Sequence, residues 1–285
     1  MRLANGSIMA FDLPALLGTL DLRRTGDLTW QGDNYPLAYR RVFGGQVLAQ
    51  SIAVLHEVGG GKEVKSLTQQ FTREGDPRLP VDYTVEVINN GRSFATVSLA
   101  ATQAGEDGTR TIGALLASLH QPEDGPERTE TPPAVPPPGS ATPKDSPILP
   151  WEVRVVDGVD LTDPTPRPPV YRTWMRIPAL GAHAKAGERW LHQALLAHAS
   201  ESTLIGTALL PLDGISQAGA GTRFASAVTS HTLWFHGPVQ LDEWLLIDQR
   251  SPIMSGGRVF GQADAWTADG RLVASLAQES MVRFS

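Results

Sequence analysis

A proline-rich segment near the middle of the chain sets the main limit on its fold. Ten of the 22 prolines fall within residues 121–150, QPEDGPERTETPPAVPPPGSATPKDSPILP. Proline fixes φ and has no N–H group to donate, so neither a helix nor a central strand can run through such a stretch. The composition therefore predicts a partly extended linker at residues 123–150. This linker separates an N-terminal unit at residues 1–122 from a C-terminal unit at residues 151–285.

The two predicted units repeat the same order of sequence features. Each contains a Gly-Arg-x-Phe segment, at residues 91–94 and 257–260, and then a strand, a turn and a strand that ends in Ala-Ser-Leu-x-Gln. In this alignment Gln121 corresponds to Gln278. We interpret the repeat as a structural duplication.

Each predicted unit has one apolar helix candidate before its strands. Residues 42–58 carry apolar side chains near i, i+4 spacing, and the Gly-Gly-Gly-Lys that follows is typical of a helix stop. Residues 188–209 are apolar nearly all round, which predicts a single helix that is buried on most sides. One helix followed by antiparallel strands in each unit predicts an α+β fold.

The composition argues against several classes of protein, including nucleic-acid-binding, cysteine-dependent and membrane-spanning proteins. The net charge is −6 and there is no basic block, which argues against a nucleic-acid partner. The absence of cysteine excludes disulfides, thiolate metal sites and a cysteine nucleophile, and it fits the reducing cytoplasm. No run approaches the roughly 20 apolar residues that cross a bilayer, and the first residues lack a signal-peptide pattern. The sequence predicts a soluble cytoplasmic protein.

Common cofactor and metal motifs do not fit the sequence. VGGGKEV lacks the spacing of a phosphate-binding loop, and neither a dinucleotide fingerprint nor a Gly-x-Ser-x-Gly elbow is present. The pairs His192/His198 and His231/His236 are spaced so that neither forms a ligand set on its helix or strand. DNYPLAY lacks the histidine that a hydratase site would need. We therefore expect no metal and no cofactor.

The final strand carries polar residues on the face that should be buried. Read with a period of two, one face contains Leu272, Ala274, Leu276, Gln278, Ser280, Val282 and Phe284. A buried amide needs polar partners. Candidates are Glu201, in the apolar helix candidate, and the hydroxyls within ASAVTSHTLWFH at residues 225–236. A carboxylate that takes a proton from water, with an amide and a hydroxyl that orient it, would form a hydrolytic site. A solvent-facing helix end and ordinary strand hydroxyls are the alternative interpretation.

The first helix candidate begins at Phe43, Gly44, Gly45 and Gln46. Two glycines let a ligand approach the backbone closely, and N–H groups at a helix start can hold an oxyanion. Tight helix packing explains the glycines equally well, so both interpretations stay open.

Four segments together resemble the type II acyl-CoA thioesterase (TesB-like) family. They are RVFGGQVLAQSI, GRSFATVSLAA, HTLWFHGPVQLDEWLL and DGRLVASLAQESMVR, at residues 41–52, 91–101, 231–246 and 269–283. The resemblance implies a double hotdog, in which two units each wrap an antiparallel sheet around a long central helix. It also implies a hydrolase of fatty-acid and lipid metabolism that converts acyl-CoA to free acid and CoA without a metal or cofactor.

The resemblance also implies an acid, a hydroxyl and a glutamine that bind a nucleophilic water. The glutamine falls on Gln278 and the acid on Glu201, which is one methylene longer than the aspartate of the family. The hydroxyl position falls on Val228, which can neither donate nor accept. The adjacent Thr229 should point to the other face unless a bulge shifts the register. We also expect residues 43–46 and His231 to contact substrate.

Three further expectations follow from this resemblance. Val228 keeps open a catalytically weak acyl-CoA or acyl-carrier binding protein of the same fold. An acyl transferase or dehydratase on that fold is a second alternative. Hotdog units pair their sheets edge to edge, so we expect a homo-oligomer, a dimer or a tetramer.

Overall fold

The computed structural model describes residues 12–35, 37, 39–106, 108–145, 150–182 and 188–284. The chain divides into two compact units. Unit 1 contains Met1–Glu123, Ser146–Trp151 and Gly181–Ala199, and unit 2 contains Asp124–Asp145, Glu152–Leu180 and Ser200–Ser285. The outer ends of the predicted units, at residues 1–11 and 285, and part of the predicted linker, at 146–149, lie outside the described residues. The boundaries at residues 122 and 150 stay a prediction.

Unit 1 is an antiparallel sheet with three helices, of which the two longer ones are largely buried. Its helices are α1 (Leu13–Gly18), α2 (Gly44–Val58) and, except for the last residue, α3 (Arg189–Ser200). Its strands are β1 (Arg23–Gly26), β2 (Thr29–Gly32), β3 (Glu63–Phe71), β4 (Val81–Asn90), β5 (Phe94–Gly105) and β6 (Gly108–His120). They lie in the order β1-β2-β4-β5-β6-β3, and each neighbouring pair is antiparallel.

Unit 2 repeats the strand order of unit 1 with one extra strand. Helix α4 spans Leu204–Leu209. The strands are β7 (Thr142–Lys144), β8 (Glu152–Val155), β9 (Val170–Arg176), β10 (Phe224–Phe235), β11 (Leu245–Ser255), β12 (Arg258–Thr267) and β13 (Leu272–Phe284). Their order is β10-β13-β12-β11-β9-β8-β7, again antiparallel throughout. Relative to their order along the chain, the first six of these strands are arranged in the same way as β3-β6-β5-β4-β2-β1 of unit 1.

Helix α2 is buried along most of its length. Every residue from 45 to 55 is buried, including the polar Gln46, Gln50 and Ser51. The predicted helix at residues 42–58 is therefore confirmed to within two residues at its start. A helix that is covered on all sides must pair its polar side chains inside the protein.

The second predicted helix is wrong as a single element. Helix α3 ends at Ser200, and α4 begins only at Leu204. The intervening sequence is Glu-Ser-Thr, and the short hydroxyl side chains of Ser202 and Thr203 can compete with helical backbone hydrogen bonds. Thr203 leaves helical geometry at φ −120° and ψ −13°. Glu201 thus lies in a turn, and its predicted place on a continuous helical face does not hold.

The later part of the proline-rich segment is part of the sheet of unit 2. Among the described strands, β7 contains Pro143 and pairs with β8 alone, which fits the rule that proline is confined to edge strands. The Trp174 indole Nε1–H donates to the Pro136 carbonyl at 2.9 Å. Val135 packs against a core cluster that includes Trp174 and Trp266. The segment is thus a cover for this cluster as well as a connection.

None of the described helices is long and apolar enough to cross a membrane.

Candidate functional site

The final strand buries the predicted face from Ala274 to Val282, whereas Leu272 is half-buried and Phe284 is exposed. Ala274, Leu276, Gln278, Ser280 and Val282 are buried, whereas the residues between them along the strand are more exposed. Gln278 is only 2% exposed, so its amide must find its partners inside the protein.

Gln278 and its partners form a chain of four side chains in unit 2. His231 on β10 lies directly opposite Gln278 on β13, and His231 Nδ1 is 2.9 Å from Gln278 Oε1. His231 Nε2 is 2.9 Å from Ser200 Oγ. Gln278 Nε2 donates to Ser280 Oγ at 3.1 Å. We call Ser200, His231, Gln278 and Ser280 the Gln278 chain; all four are buried.

The direction of each hydrogen bond in the Gln278 chain follows from the state of the histidine. Burial lowers the pKa of His231 to about 4, although its hydrogen bond to Gln278 acts in the opposite direction. The ring is therefore neutral near pH 7, with one donor nitrogen and one acceptor nitrogen. Because the Gln278 carbonyl can only accept, Nδ1 carries the proton, and Nε2 accepts from the Ser200 hydroxyl. The amide nitrogen of Gln278 is then held toward Ser280.

A bulge in β10 determines which side chains of that strand lie beside the Gln278 chain. The register with β13 shifts between Val228 and Ser230, which leaves Thr229 as the extra residue. The Thr229 hydroxyl donates to the Glu279 carbonyl at 3.0 Å. Val228 is paired with Ser280. The register shift anticipated as an alternative is therefore present, and it commits the Thr229 hydroxyl to the backbone.

Glu201 lies at the start of the turn that follows α3 and is half-buried. It directly follows Ser200 of the Gln278 chain. The turn is held by Gln249 of β11, whose Nε2 donates to Thr203 Oγ1 at 2.7 Å. Thr207 Oγ1 of α4 donates to Gln249 Oε1 at 3.3 Å.

Three residues of this region were not singled out by the sequence analysis. Ser200 and Gln249 have structural partners that lie far away in sequence, and Ser280 was noted only as part of a face. Gln249 had a usable signal, because it follows Leu245 and Ile247 on the buried face of β11. An amide on an apolar strand face is the same pattern that identified Gln278.

Residues 43–46 lie in unit 1, where their observed contacts are internal. Phe43 precedes α2, and its ring is 5.1 Å from the His198 ring in an edge-on arrangement. Gly44 begins the helix. A Cβ atom on Gly45 would overlap the His198 carbonyl oxygen, which supports the packing interpretation of this glycine.

Gln46 also has both ends of its amide committed within unit 1. Its Oε1 accepts from the Tyr35 N–H at 2.8 Å, and its Nε2 donates to Asn34 Oδ1 at 2.6 Å. The substrate contacts expected for residues 43–46 stay a prediction.

Unit 1 also contains a cavity that is separate from the predicted site residues. A pocket of about 350 Å³ lies in unit 1, and none of the predicted site residues lines it. Its walls include Leu17, Leu20, Trp30, Ala53, His56 and Trp190. In the part of the chain that the structure describes, no group of three His, Asp or Glu side chains is placed to hold a metal ion.

Comparisons with known proteins give one consistent family. A family model for the acyl-CoA thioesterase N-terminal domain matches residues 33–120, and one for the acyl-CoA thioesterase C-terminal domain matches residues 122–282. The chain is 30% identical over 286 residues to acyl-CoA thioesterase 2 of Haemophilus influenzae, covering 95% of this chain and 97% of that protein.

Solved structures agree with this result. An acyl-CoA thioesterase II from Mycobacterium marinum is 29% identical with a TM-score of 0.76, covering 95% of this chain and 98% of that one. A protein with a hot dog fold from Alicyclobacillus acidocaldarius is 19% identical with a TM-score of 0.74, over 95% of this chain and 98% of that one. At that identity the likeness shows the fold alone. The predicted α+β double hotdog is confirmed.

Proposed function

Because this chain belongs to the acyl-CoA thioesterase family, we propose that it hydrolyses acyl-CoA thioesters to a free acid and CoA. The observation that carries the chemistry is the Gln278 chain, a buried amide whose orientation is fixed from one side by a neutral histidine. Buried polar groups held in one orientation can bind a water molecule in a single geometry, which is what a hydrolytic step needs.

Glu201 supplies the base in this proposal. Its carboxylate accepts a proton from water while the water oxygen attacks the thioester carbonyl carbon. The tetrahedral intermediate then collapses, the C–S bond breaks, and the departing CoA sulfur takes the proton back from the Glu201 carboxyl. Support comes from the chain itself: Glu201 directly follows Ser200, so their Cα atoms are about 3.8 Å apart, and the side chain of Ser200 contacts His231.

Gln278 orients the attacking water, and His231 acts as a positioning residue behind it. With Nδ1–H bonded to the Gln278 carbonyl, the amide cannot rotate without losing that hydrogen bond. A second lone pair on Oε1 and a second N–H on Nε2 stay available for water. The role of His231 is thus to fix the amide, in addition to the substrate contact expected from the sequence.

Steady-state kinetics on the purified full chain tests this function. A panel of acyl-CoAs of increasing length is assayed for both thiol release and free acid. Glu201→Gln and Gln278→Ala are each expected to lower kcat/KM by roughly 100-fold or more, because each removes a group that acts on the attacking water. Glu243→Gln and Gln240→Ala, at exposed positions of unit 2, are the matched controls.

Two results would contradict the proposal. If both site variants keep the kcat/KM of the wild type, the assignment of Glu201 and Gln278 is wrong. If the wild type binds acyl-CoA but releases neither thiol nor acid, the chain is an acyl-CoA binding protein of this fold.

We also propose a cytoplasmic location and self-association into a dimer or tetramer. The absence of cysteine supports a reducing compartment. Strands β1 and β7 each end the strand order of their unit, and unpaired sheet edges favour association. Light scattering coupled to size-exclusion chromatography measures the subunit number, and a monomer across the assay concentrations would contradict the association.

A further inference from the structure

We propose that Ser280 supplies the hydroxyl that, together with Gln278, holds the attacking water. The inference rests on the proposed function and adds a residue to the same site. It is carried by the hydrogen bond from Gln278 Nε2 to Ser280 Oγ and by the pairing of Ser280 with Val228.

Two other hydroxyls near Gln278 are already engaged. Ser200 donates to His231 Nε2, as the neutral ring requires. Thr229 donates to the Glu279 carbonyl. Val228 has no hydroxyl at all. Ser280 is different, because its oxygen accepts from Gln278 while its own proton has no acceptor in the part of the chain that the structure describes.

An uncommitted donor is costly where Ser280 lies. The residue is 1% exposed, and a buried hydroxyl proton without an acceptor is destabilising unless a water or a ligand takes it. Gln278, at 2% exposed, likewise has a second N–H with no acceptor among the described residues. Because the two donor atoms are 3.1 Å apart, a water that accepts from the Ser280 hydroxyl lies next to the Gln278 amide.

The strand register explains how the hydroxyl can sit on β13. Residues directly opposite in an antiparallel pair have side chains about 5 Å apart on the same face. Val228 and Ser280 are such a pair, so a hydroxyl on either residue reaches the same region beside Gln278. The chain lacks the hydroxyl at Val228 on β10 and has one at the facing position on β13.

This arrangement gives each proton of the water one partner. The water donates one proton to Glu201 and the other to the free lone pair of the Gln278 carbonyl. Ser280 donates to one lone pair of the water, which leaves the second lone pair for the thioester carbon. No group other than Glu201 changes its protonation state during the attack.

The proposal is tested by removing the hydroxyl at residue 280 and introducing one at residue 228, the facing position on β10. Ser280→Ala is expected to lower kcat by roughly tenfold or more while KM changes by less than about twofold, because the hydroxyl acts on the water and not on the acyl chain. Val228→Thr in the Ser280→Ala background restores a hydroxyl at the facing position and is expected to recover most of kcat. Ser275→Ala, on the same strand, is the control, because its hydroxyl bonds Asp264 and His236 outside the site.

The outcomes separate this inference from the proposed function. A wild type that releases no thiol overturns both. An active wild type with a fully active Ser280→Ala variant overturns only the role of Ser280. The same holds if Ser280→Ala is folded and slow but Val228→Thr recovers nothing, because the hydroxyl would then only brace Gln278. If Ser280→Ala does not fold, Ser280→Cys keeps the size with a weaker donor, and an unchanged kcat in that variant overturns the inference.

Discussion

The two units bury glutamines in opposite ways. In unit 1, Gln50 of α2 donates from Nε2 to the carbonyls of Thr19 and Asp33 at 2.8 and 2.9 Å, and its Oε1 accepts from the Tyr83 hydroxyl at 2.7 Å. Both amide protons are therefore used by the backbone. In unit 2, the hydrogen bonds of the Gln278 amide side chain within the described residues go to the side chains of His231 and Ser280.

The difference shows which buried amide can take part in chemistry. An amide whose donors are consumed by main-chain carbonyls ties distant segments together and has nothing left for a ligand. An amide held on one side by other side chains keeps one donor and one lone pair. Burial alone thus does not distinguish a site residue from a structural one; the identity of its partners does.

The largest effect is expected at Gln50, and it should fall on stability alone. Gln50→Leu leaves two carbonyls and the Tyr83 hydroxyl without partners, at roughly 1–3 kcal/mol for each buried group, so the free energy of unfolding should fall by about 3 kcal/mol or more. Urea unfolding measures this, and kcat/KM of the folded protein should stay at the wild-type value. Gln70→Leu, at an exposed position of β3, is the control. Loss of kcat in a stable Gln50→Leu variant would break the comparison.

The pH dependence of the free energy of unfolding tests one buried histidine in each unit, His231 in unit 2 and His198 in unit 1. Burial lowers the pKa of His231 to about 4 and that of His198 to about 3. Because the unfolded chain binds these protons near pH 6.5, stability is full above that pH and falls as the pH drops toward the folded values. For His231 the loss is about 3 kcal/mol between pH 6.5 and 4. His231→Gln should show a correspondingly smaller fall in denaturant titrations, and an unchanged pH dependence would contradict the buried neutral state.

The close approach in unit 1 predicts a cost for a single methyl group. In Gly45→Ala the new Cβ would meet the His198 carbonyl and the Phe43 ring, so the free energy of unfolding should fall by about 1–3 kcal/mol. Gly18→Ala is the matched control, since no atom lies within 4 Å of its Cβ position. If Gly45→Ala is as stable as Gly18→Ala but has a raised KM, the ligand-approach interpretation is favoured over packing.

The smallest effect is expected at the counterpart of Gln278. Gln121 follows β6, is exposed, and uses its backbone N–H to bond the Ser93 carbonyl. Gln121→Ala should change the free energy of unfolding by less than about 0.5 kcal/mol and leave kcat unchanged. Thermal melts and the thiol-release assay, run beside Gln278→Ala, test this. A loss of kcat would mean that the repeat preserves chemistry in both units.

The structural features that depend on local periodicity could mostly be predicted from the sequence. The alternation of β13 identifies Gln278 as a buried amide, and the apolar pattern identifies α2. Where local pattern and side-chain chemistry conflict, the prediction fails. Residues 188–209 are apolar enough to suggest one helix, but Ser-Glu-Ser-Thr ends α3 and carries Glu201 into a turn.

Other parts of the site depend on which strand lies opposite. The bulge at Thr229 and the pairing of Val228 with Ser280 exist only relative to β13, so no pattern within β10 alone could reveal them. The same holds for His231, whose buried partner lies 47 residues away. For Gly45, the position of α3 was required to distinguish tight helix packing from close approach of a ligand, because the contact is with the His198 carbonyl.

The proline-rich cover of unit 2 has a consequence for dividing the gene. Val135 lies on the tryptophan cluster, Pro136 accepts the Trp174 indole hydrogen, and β7 completes the sheet. A fragment that starts at residue 151 would therefore expose two indoles and a bare strand edge, and it should aggregate. A split after residue 123 should instead keep residues 124–145 with the downstream piece, because these residues cover its tryptophan cluster.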